Sequence, residues 1–357
     1  MFHNDSVLRV DRIILSGLIL LAGCTTMPEP DDSTTAFFPE EVRESQTLAP
    51  PPQDPPVRMQ PPKSQPPRWI PLNQWAAEKQ LGPLSGSPSN WNPVFWLDTT
   101  LGQFEIRTRS QVAKWDGAEF RLGFDVRFEN FQPVIHELDL QKNFEPLLQP
   151  APLPPAGTRI VVIDAGHGGG NGGTRSVVTG FNEKDYTLDW ALRLEPLLRA
   201  NQWQVYLTRT NDMDLPLSAR VAFADQCRAD LFVSLHFNAA PSGGKQAGLE
   251  TFCLTPTGMR STLTREYEDD PAAVFPNNRF DADNLRYAML LHRALLKECG
   301  FVDRGVRRAR FLGVLRGQNR PAVLLEAGYL SNPAEASRIH TPEFRQRLAE
   351  AVARALM

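Results

Sequence analysis

The chain lacks the charge balance of a nucleic-acid binder. Its 38 Lys and Arg residues are offset by 41 Asp and Glu, the formal net charge is −3, and no long basic run occurs. Cysteine is scarce: Cys24, Cys227, Cys253 and Cys299 are the four present, and their spacing fits no zinc finger. A membrane-spanning run is missing at the start as well. The apolar stretch 13–21 is broken by Ser16 and Gly17 and is shorter than the roughly 20 residues a spanning helix needs. Preceded by Arg9 and Arg12, it fits a secretory signal instead. What the chain does have is bulk. Its 357 residues leave room for about two domains, and 41% hydrophobic content supplies a real core.

The apolar run ends in Leu21-Ala22-Gly23-Cys24, which resembles the lipobox of bacterial lipoproteins. That resemblance implies a signal peptide over 1–23, cleavage before Cys24 and lipidation of its thiol, giving several acyl chains where one alone is marginal. Thr25, in place of Asp, points to the outer membrane. The alternative is an ordinary signal peptide with a chance cysteine. Residues 24–68 read as a disordered Pro-rich tether, with nine prolines among the eighteen residues 50–67. Such a segment favours extended polyproline II. A ligand for a proline-recognition domain is the rival reading.

Residues 69–148 read as a small α+β module. A helix is expected over 72–81 and a strand over 103–107. Residues 112–115 and 120–122 flank Asp116-Gly117, a hairpin turn signal. The module weakly resembles the copper-amine-oxidase-like N-terminal module of some bacterial wall proteins. Its single histidine, His136, and its lack of cysteine argue against a metal there. Wall binding and a plain spacer are equally open. Four prolines within 149–156 mark the next boundary.

Residues 157–357 alternate strand and helix patterns. Strands are expected over 159–163, 204–208, 231–235, 249–254, 311–315 and 322–325. Helices are expected over 184–200, 217–228, 282–298 and 342–356. This predicts an α/β fold, a mostly parallel twisted sheet with helices on both faces. Gly300 reads as a helix C-cap, and Pro196 is expected to kink or shorten its helix. Ligands gather at the carboxyl ends of strands in such sheets. His167 follows the first strand, His236 and Glu326 end two others, and Glu183 enters at a helix start. Two imidazoles and a carboxylate suit zinc. The glycines of 166–173 lack the Lys-Ser/Thr of a phosphate loop and the dinucleotide spacing.

Several motifs in order then carry a specific resemblance: VVIDAGHGG at 161–169, NEKDYTL at 182–188, LTRTND at 207–212, ADLFVSLHFNA at 229–239, GLETFCL at 248–254, DRGVRRARFLGVLR at 303–316 and PAVLLEAGYLSNPAEA at 321–336. The stretch resembles the zinc-dependent N-acetylmuramoyl-L-alanine amidases of the Amidase_3 type, which cleave peptidoglycan. The resemblance implies Zn2+ on His167, Glu183 and His236, and Glu326 as the catalytic carboxylate. It implies hydrolysis of the amide between the muramic lactyl group and L-alanine, in wall remodelling or daughter-cell separation. Bland alternatives stand beside each residue: a turn histidine for His167, a helix-dipole partner for Glu183, a strand-end histidine for His236, and an ion pair with Arg304 or Arg307 for Glu326. Asp164, Asn238 and Arg304 read as supporting or substrate residues. Asn171-Gly172-Gly173-Thr174 stands where many relatives have Asp-Pro-Gly-Ala. The acidic stretch 255–281, interrupted by Pro271 and Pro276, reads as a substrate-side loop with autoinhibition as its alternative. Cys227, Cys253 and Cys299 read as buried free thiols.

The partners so implied are peptidoglycan and a membrane reached through the lipid anchor, with no nucleic acid and an activator protein left unidentified. The location is the cell envelope, facing the periplasm. A zinc peptidase acting on wall stem peptides, or a catalytically silent peptidoglycan-binding lipoprotein, are the competing functions.

Overall fold

A computed structural model of the chain describes residues 68–86, 93–240, 244–263 and 269–357. The expected signal peptide, Cys24 and residues 25–67 of the expected tether lie outside the described residues, as do residues 264–268 of the acidic stretch.

Eleven strands form one sheet in the order β10-β9-β11-β14-β12-β13-β6-β5-β4-β3-β2. They are β2 (Ser85–Gly86), β3 (Val94–Asp98), β4 (Gln103–Arg107), β5 (Val112–Trp115), β6 (Ala118–Arg121), β9 (Ile160–Ala165), β10 (Gln204–Leu207), β11 (Leu231–Asn238), β12 (Leu249–Cys253), β13 (Asp303–Arg308) and β14 (Ala322–Tyr329). A second, three-stranded sheet joins β1 (Trp69–Pro71), β8 (Gln132–His136) and β7 (Arg127–Glu129). Strands β10, β9, β11 and β14 run parallel, and β12 is antiparallel to β14.

The period-two alternation of the strands sends side chains to two faces. Val161, Ile163, Val233, Leu235, Val323 and Leu325 enter the larger core, against Trp190 and Leu194 of helix α2 (Glu183–Ala200), Leu291 of α4 (Asp281–Cys299) and Leu348 of α6 (Pro342–Ala355). Val162, Phe232, Phe252 and Leu324 enter a smaller core on the opposite face, against Ala224 of α3 (Leu217–Gln226). Strands burying apolar residues on both faces, with helices above and below, give the α/β arrangement that the pattern predicts. In the amino-terminal segment, helix α1 spans Leu72–Glu78, and Asp116 and Gly117, both with positive φ, turn the β5–β6 hairpin. Among the described residues no helix is long and apolar enough to cross a membrane.

Two expectations are corrected. Residues 311–315 do not form a strand: Val314 and Leu315 bury themselves from a single helical turn, Gly313–Arg316. The strand is instead the charged Asp303–Arg308, whose Val306 enters the main core and whose buried Arg308 bonds Cys253 Sγ and Asn143 Oδ1. Helix α2 is also not shortened at Pro196 and runs on to Ala200. The carbonyl that loses its partner belongs to Leu192, an exposed residue of the helix. Helix α5 (Pro333–His340), which the periodicity did not single out, starts on Asn332, whose side chain accepts from Ala334 N and Glu335 N.

Candidate metal centre

Beyond Ala165 the chain turns through Gly166 into His167, whose φ of +63° lies in the left-handed region. That conformation costs a residue with a β-carbon about 1–2 kcal/mol, so the surroundings must hold it. Two buried arginines do so. Arg209 donates to Ala165 O and Gly166 O, both at 2.9 Å, and to Lys184 O at 2.8 Å. Arg220 donates to Ala165 O at 2.8 Å and to His167 O at 2.7 Å. Asp164 neutralises Arg220 at 2.6 Å and accepts the hydroxyls of Thr208 and Ser234 at 2.7 and 2.6 Å. Burial alone would raise the Asp164 pKa, but the Arg220 charge and the two hydroxyls outweigh it and hold the carboxyl below its ordinary range. Asp164 therefore acts on His167 through Arg220.

Glu183 opens α2 inside a capping box made by Asn182 and Asp185. Its carboxylate is almost fully buried, and each oxygen accepts one backbone N–H: Oε2 from Thr174 at 3.0 Å, Oε1 from Phe237 at 2.9 Å. The imidazoles meet the same carboxylate. His167 Nε2 lies 3.1 Å from Oε2, and His236 Nδ1 lies 3.0 Å from Oε1. The other His167 nitrogen, Nδ1, faces Asn171 Oδ1 at 3.0 Å, which fixes the ring. Desolvation would raise the Glu183 pKa and lower that of His167. Their mutual contacts reverse both, so Glu183 is held low and His167 high.

These contacts fit a metal ion. One donor atom from each of His167, Glu183 and His236 falls within 4.8 Å of the others. Donors around an ion at about 2.0–2.1 Å stand about 3.3 Å apart in a tetrahedral site, and each imidazole lies 3.0–3.1 Å from one oxygen of the Glu183 carboxylate. Space is kept for the rings: a β-carbon on Gly166 would fall 2.4 Å from His236 Cε1, and one on Gly173 2.6 Å from Glu183 Oε2. Two neutral imidazoles and one carboxylate leave a divalent cation partly uncompensated and a position open.

Glu326 stands beside this cluster. It is the β14 partner of His236, and Glu250 of β12 is its partner on the other side. Residues in register share a face, so His236, Glu326 and Glu250 form a row. Between His236 and Asn238 the register shifts, and Asn238 pairs with Tyr329. Gly328, at φ +96°, absorbs the extra residue. Tyr329 is three residues past Glu326 and would otherwise face away; the bulge returns it to the site face.

Arg304 and Arg307 do not pair with Glu326. They converge on Glu250, with Nε atoms 3.0 and 3.1 Å from its Oε1. Asn238 donates to Glu250 Oε2 at 2.7 Å and accepts from Ala239 N at 2.8 Å. Arg209, Arg220 and Glu250 escaped the sequence reading. Arg209 and Glu250 had signals, since each is a charged residue inside or just after an apolar strand pattern, where an unpaired charge is costly. Cys253 and Cys299 are buried and Cys227 half-buried, and all three are free thiols. Burial raises each thiol pKa, that of Cys299 to about 11, which suits inert packing.

Comparison with known proteins gives the context. The model of the N-acetylmuramoyl-L-alanine amidase family, Amidase_3, matches residues 161–357. The N-acetylmuramoyl-L-alanine amidase AmiC of Escherichia coli O6:H1 is 30% identical over 243 residues, covering 60% of this chain and 56% of AmiC. AmiA of Escherichia coli K12 is 32% identical over 218 residues, covering 55% of this chain and 74% of AmiA. The chain thus spans little more than half the length of AmiC. Among solved structures, the catalytic domain of CwlV from Bacillus (Paenibacillus) polymyxa var. colistinus is 31% identical, with a TM-score of 0.46 over 56% of this chain and 96% of that one.

Proposed function

The chain belongs to the N-acetylmuramoyl-L-alanine amidase family, and we propose that it hydrolyses the amide between the muramic lactyl group and L-alanine of peptidoglycan, using a zinc ion held by His167, Glu183 and His236. The observation that carries this reading is the convergence of those three donors, within 4.8 Å of one another, with Glu326 in register beside His236. When bound, zinc supplies Lewis-acid polarisation of a carbonyl and makes water acidic enough to ionise near neutral pH. The protein's own groups do the rest. Glu183, fixed by two backbone amides, and His167, fixed by Asn171, preorganise the donors before substrate arrives. Glu326 takes the proton of the attacking water and returns it to the departing amine nitrogen. The Glu250 carboxylate is engaged by Arg304, Arg307 and Asn238, and Glu326 stands closer, in direct register with His236, which supports Glu326 as the base.

In this reading residues 157–357 carry the catalysis and 69–148 form an accessory module. Cys24 bears lipid that anchors the protein at the outer membrane, facing the periplasm, and residues 24–68 tether the enzyme towards the wall. Digestion of purified peptidoglycan with and without a chelator tests the reaction. Chelator-sensitive release of stem peptides beginning with L-alanine is expected. Shortened stems still joined to muramic acid would instead support a wall peptidase.

A further inference from the structure

Glu250 is the centre of a polar cluster that the reaction, as derived, does not use. It is almost fully buried, two cations meet its one carboxylate, and both of its oxygens are occupied. It therefore has no capacity left to act as a base or as a ligand. What it does have is a grip on Arg304, whose side chain is 27% exposed and whose Nε is the atom spent on Glu250.

Two separate irregularities build this cluster. Arg304 and Arg307 are three residues apart and would face opposite sides of a regular strand. The β12–β13 register shifts between Leu249 and Thr251, and Gly305, at φ +86°, takes the extra residue, so both arginines turn to Glu250. On the other flank the Gly328 bulge turns Tyr329 inward, and the Arg304 guanidinium carbon lies 5.3 Å from the centre of its ring. Bulges that re-aim side chains are frequent next to active sites. Here a pair of them gathers a surplus positive charge one strand beyond Glu326.

We propose that Arg304, positioned by Glu250, binds a carboxylate of the peptide that the reaction releases, two to three residues past the scissile amide. Neighbouring strands lie about 4.8 Å apart, which puts Glu250 about 10 Å from His236 across β14, and an extended peptide covers about 3.4 Å per residue. The sugar side of the substrate offers hydroxyl and acetamido groups, so the peptide side is the source of the anion. An arginine with Nε committed to one carboxylate keeps its Nη pair for another, in a fork that suits carboxylate geometry.

This inference rests on the amidase reading. It is tested on the full chain loaded with zinc, with matched muramyl peptides carrying a free carboxylate or a carboxamide at the second and third residues. The acid form should be favoured about 30-fold in kcat/KM, the scale of one charge-assisted contact, with the difference in KM rather than kcat. Arg304→Gln should bring that ratio close to one. Arg304→Lys, which keeps the charge and loses the fork, should retain part of it. Equal use of both forms by the wild type, or a preference that survives Arg304→Gln, overturns the proposal. Calorimetric binding of the two free peptides provides a separate readout. If neither muramyl peptide is cleaved, the amidase reading fails, and the subsite stands or falls on whether the acid form still binds more tightly than the carboxamide.

Discussion

Gly166 has no room for a side chain, because the ring of His236 occupies the place where its β-carbon would be. A single methyl there must displace the ring or the loop. Gly166→Ala is therefore expected to weaken zinc binding by about 10- to 100-fold, the loss typical when the surroundings of a metal ligand are disturbed; competition with a chromophoric chelator measures it. Asp164 acts at the same scale from further back. Asp164→Asn would leave Arg220 buried without its counter-charge, at a cost of about 3–5 kcal/mol in denaturant unfolding. The pH dependence follows from the same carboxyl. Its folded pKa is depressed, so its contribution is fully present above the unfolded value, near 4, and is lost as pH falls through that value towards the folded one. Acid titration of the melting temperature should show wild-type stability falling below about pH 4, and a shallower fall in Asp164→Asn.

At the scale of elements, the β11–β14 pair does two jobs with one irregularity. Its parallel register sets His236 beside Glu326, and the bulge at Gly328 adds Tyr329 to the same face. A β-carbon at Gly328 would sit 3.2 Å from Glu335 Oε2 and from Phe301 Cε1, on a backbone that L-residues rarely adopt. Gly328→Ala should cost about 1–3 kcal/mol in denaturant unfolding. This is also where sequence and structure part. His167, His236 and Glu326 were legible because each ends or follows an apolar run, and Glu183 because it opens a helix. The bulges were not, since neither Gly305 nor Gly328 interrupts its motif in a way that period counting detects. Asp303–Arg308 escaped as a strand because four of its six residues are charged, whereas the apolar 311–315 run mimicked one. The role of Asn171 was hidden for another reason: its side chain serves a histidine four residues earlier within one loop.

At the scale of the whole molecule, the amino-terminal strands extend the same sheet as the metal centre. Val306 of β13 pairs with Phe120 of β6, and Glu119 N donates to Asp303 Oδ2 at 2.8 Å. Asp303 also holds the buried His292, which bonds Thr251 next to Glu250. A chain cut to 157–357 would expose the edge of β13, an invitation to edge-to-edge pairing. It should aggregate at concentrations where a chain retaining 69–357 stays monomeric, as light scattering would report. The central claim is that three donors hold a zinc ion and Glu326 moves the proton. Mass spectrometry of products from purified peptidoglycan, read together with bound zinc, tests it on wild type and Glu326→Gln in parallel. One zinc per chain is expected in both, with L-alanine-terminated stem peptides from the wild type and turnover lower by about 10²–10⁴-fold in the variant. A variant that releases those peptides at the wild-type rate, or a wild type that releases them with no zinc bound, would contradict it.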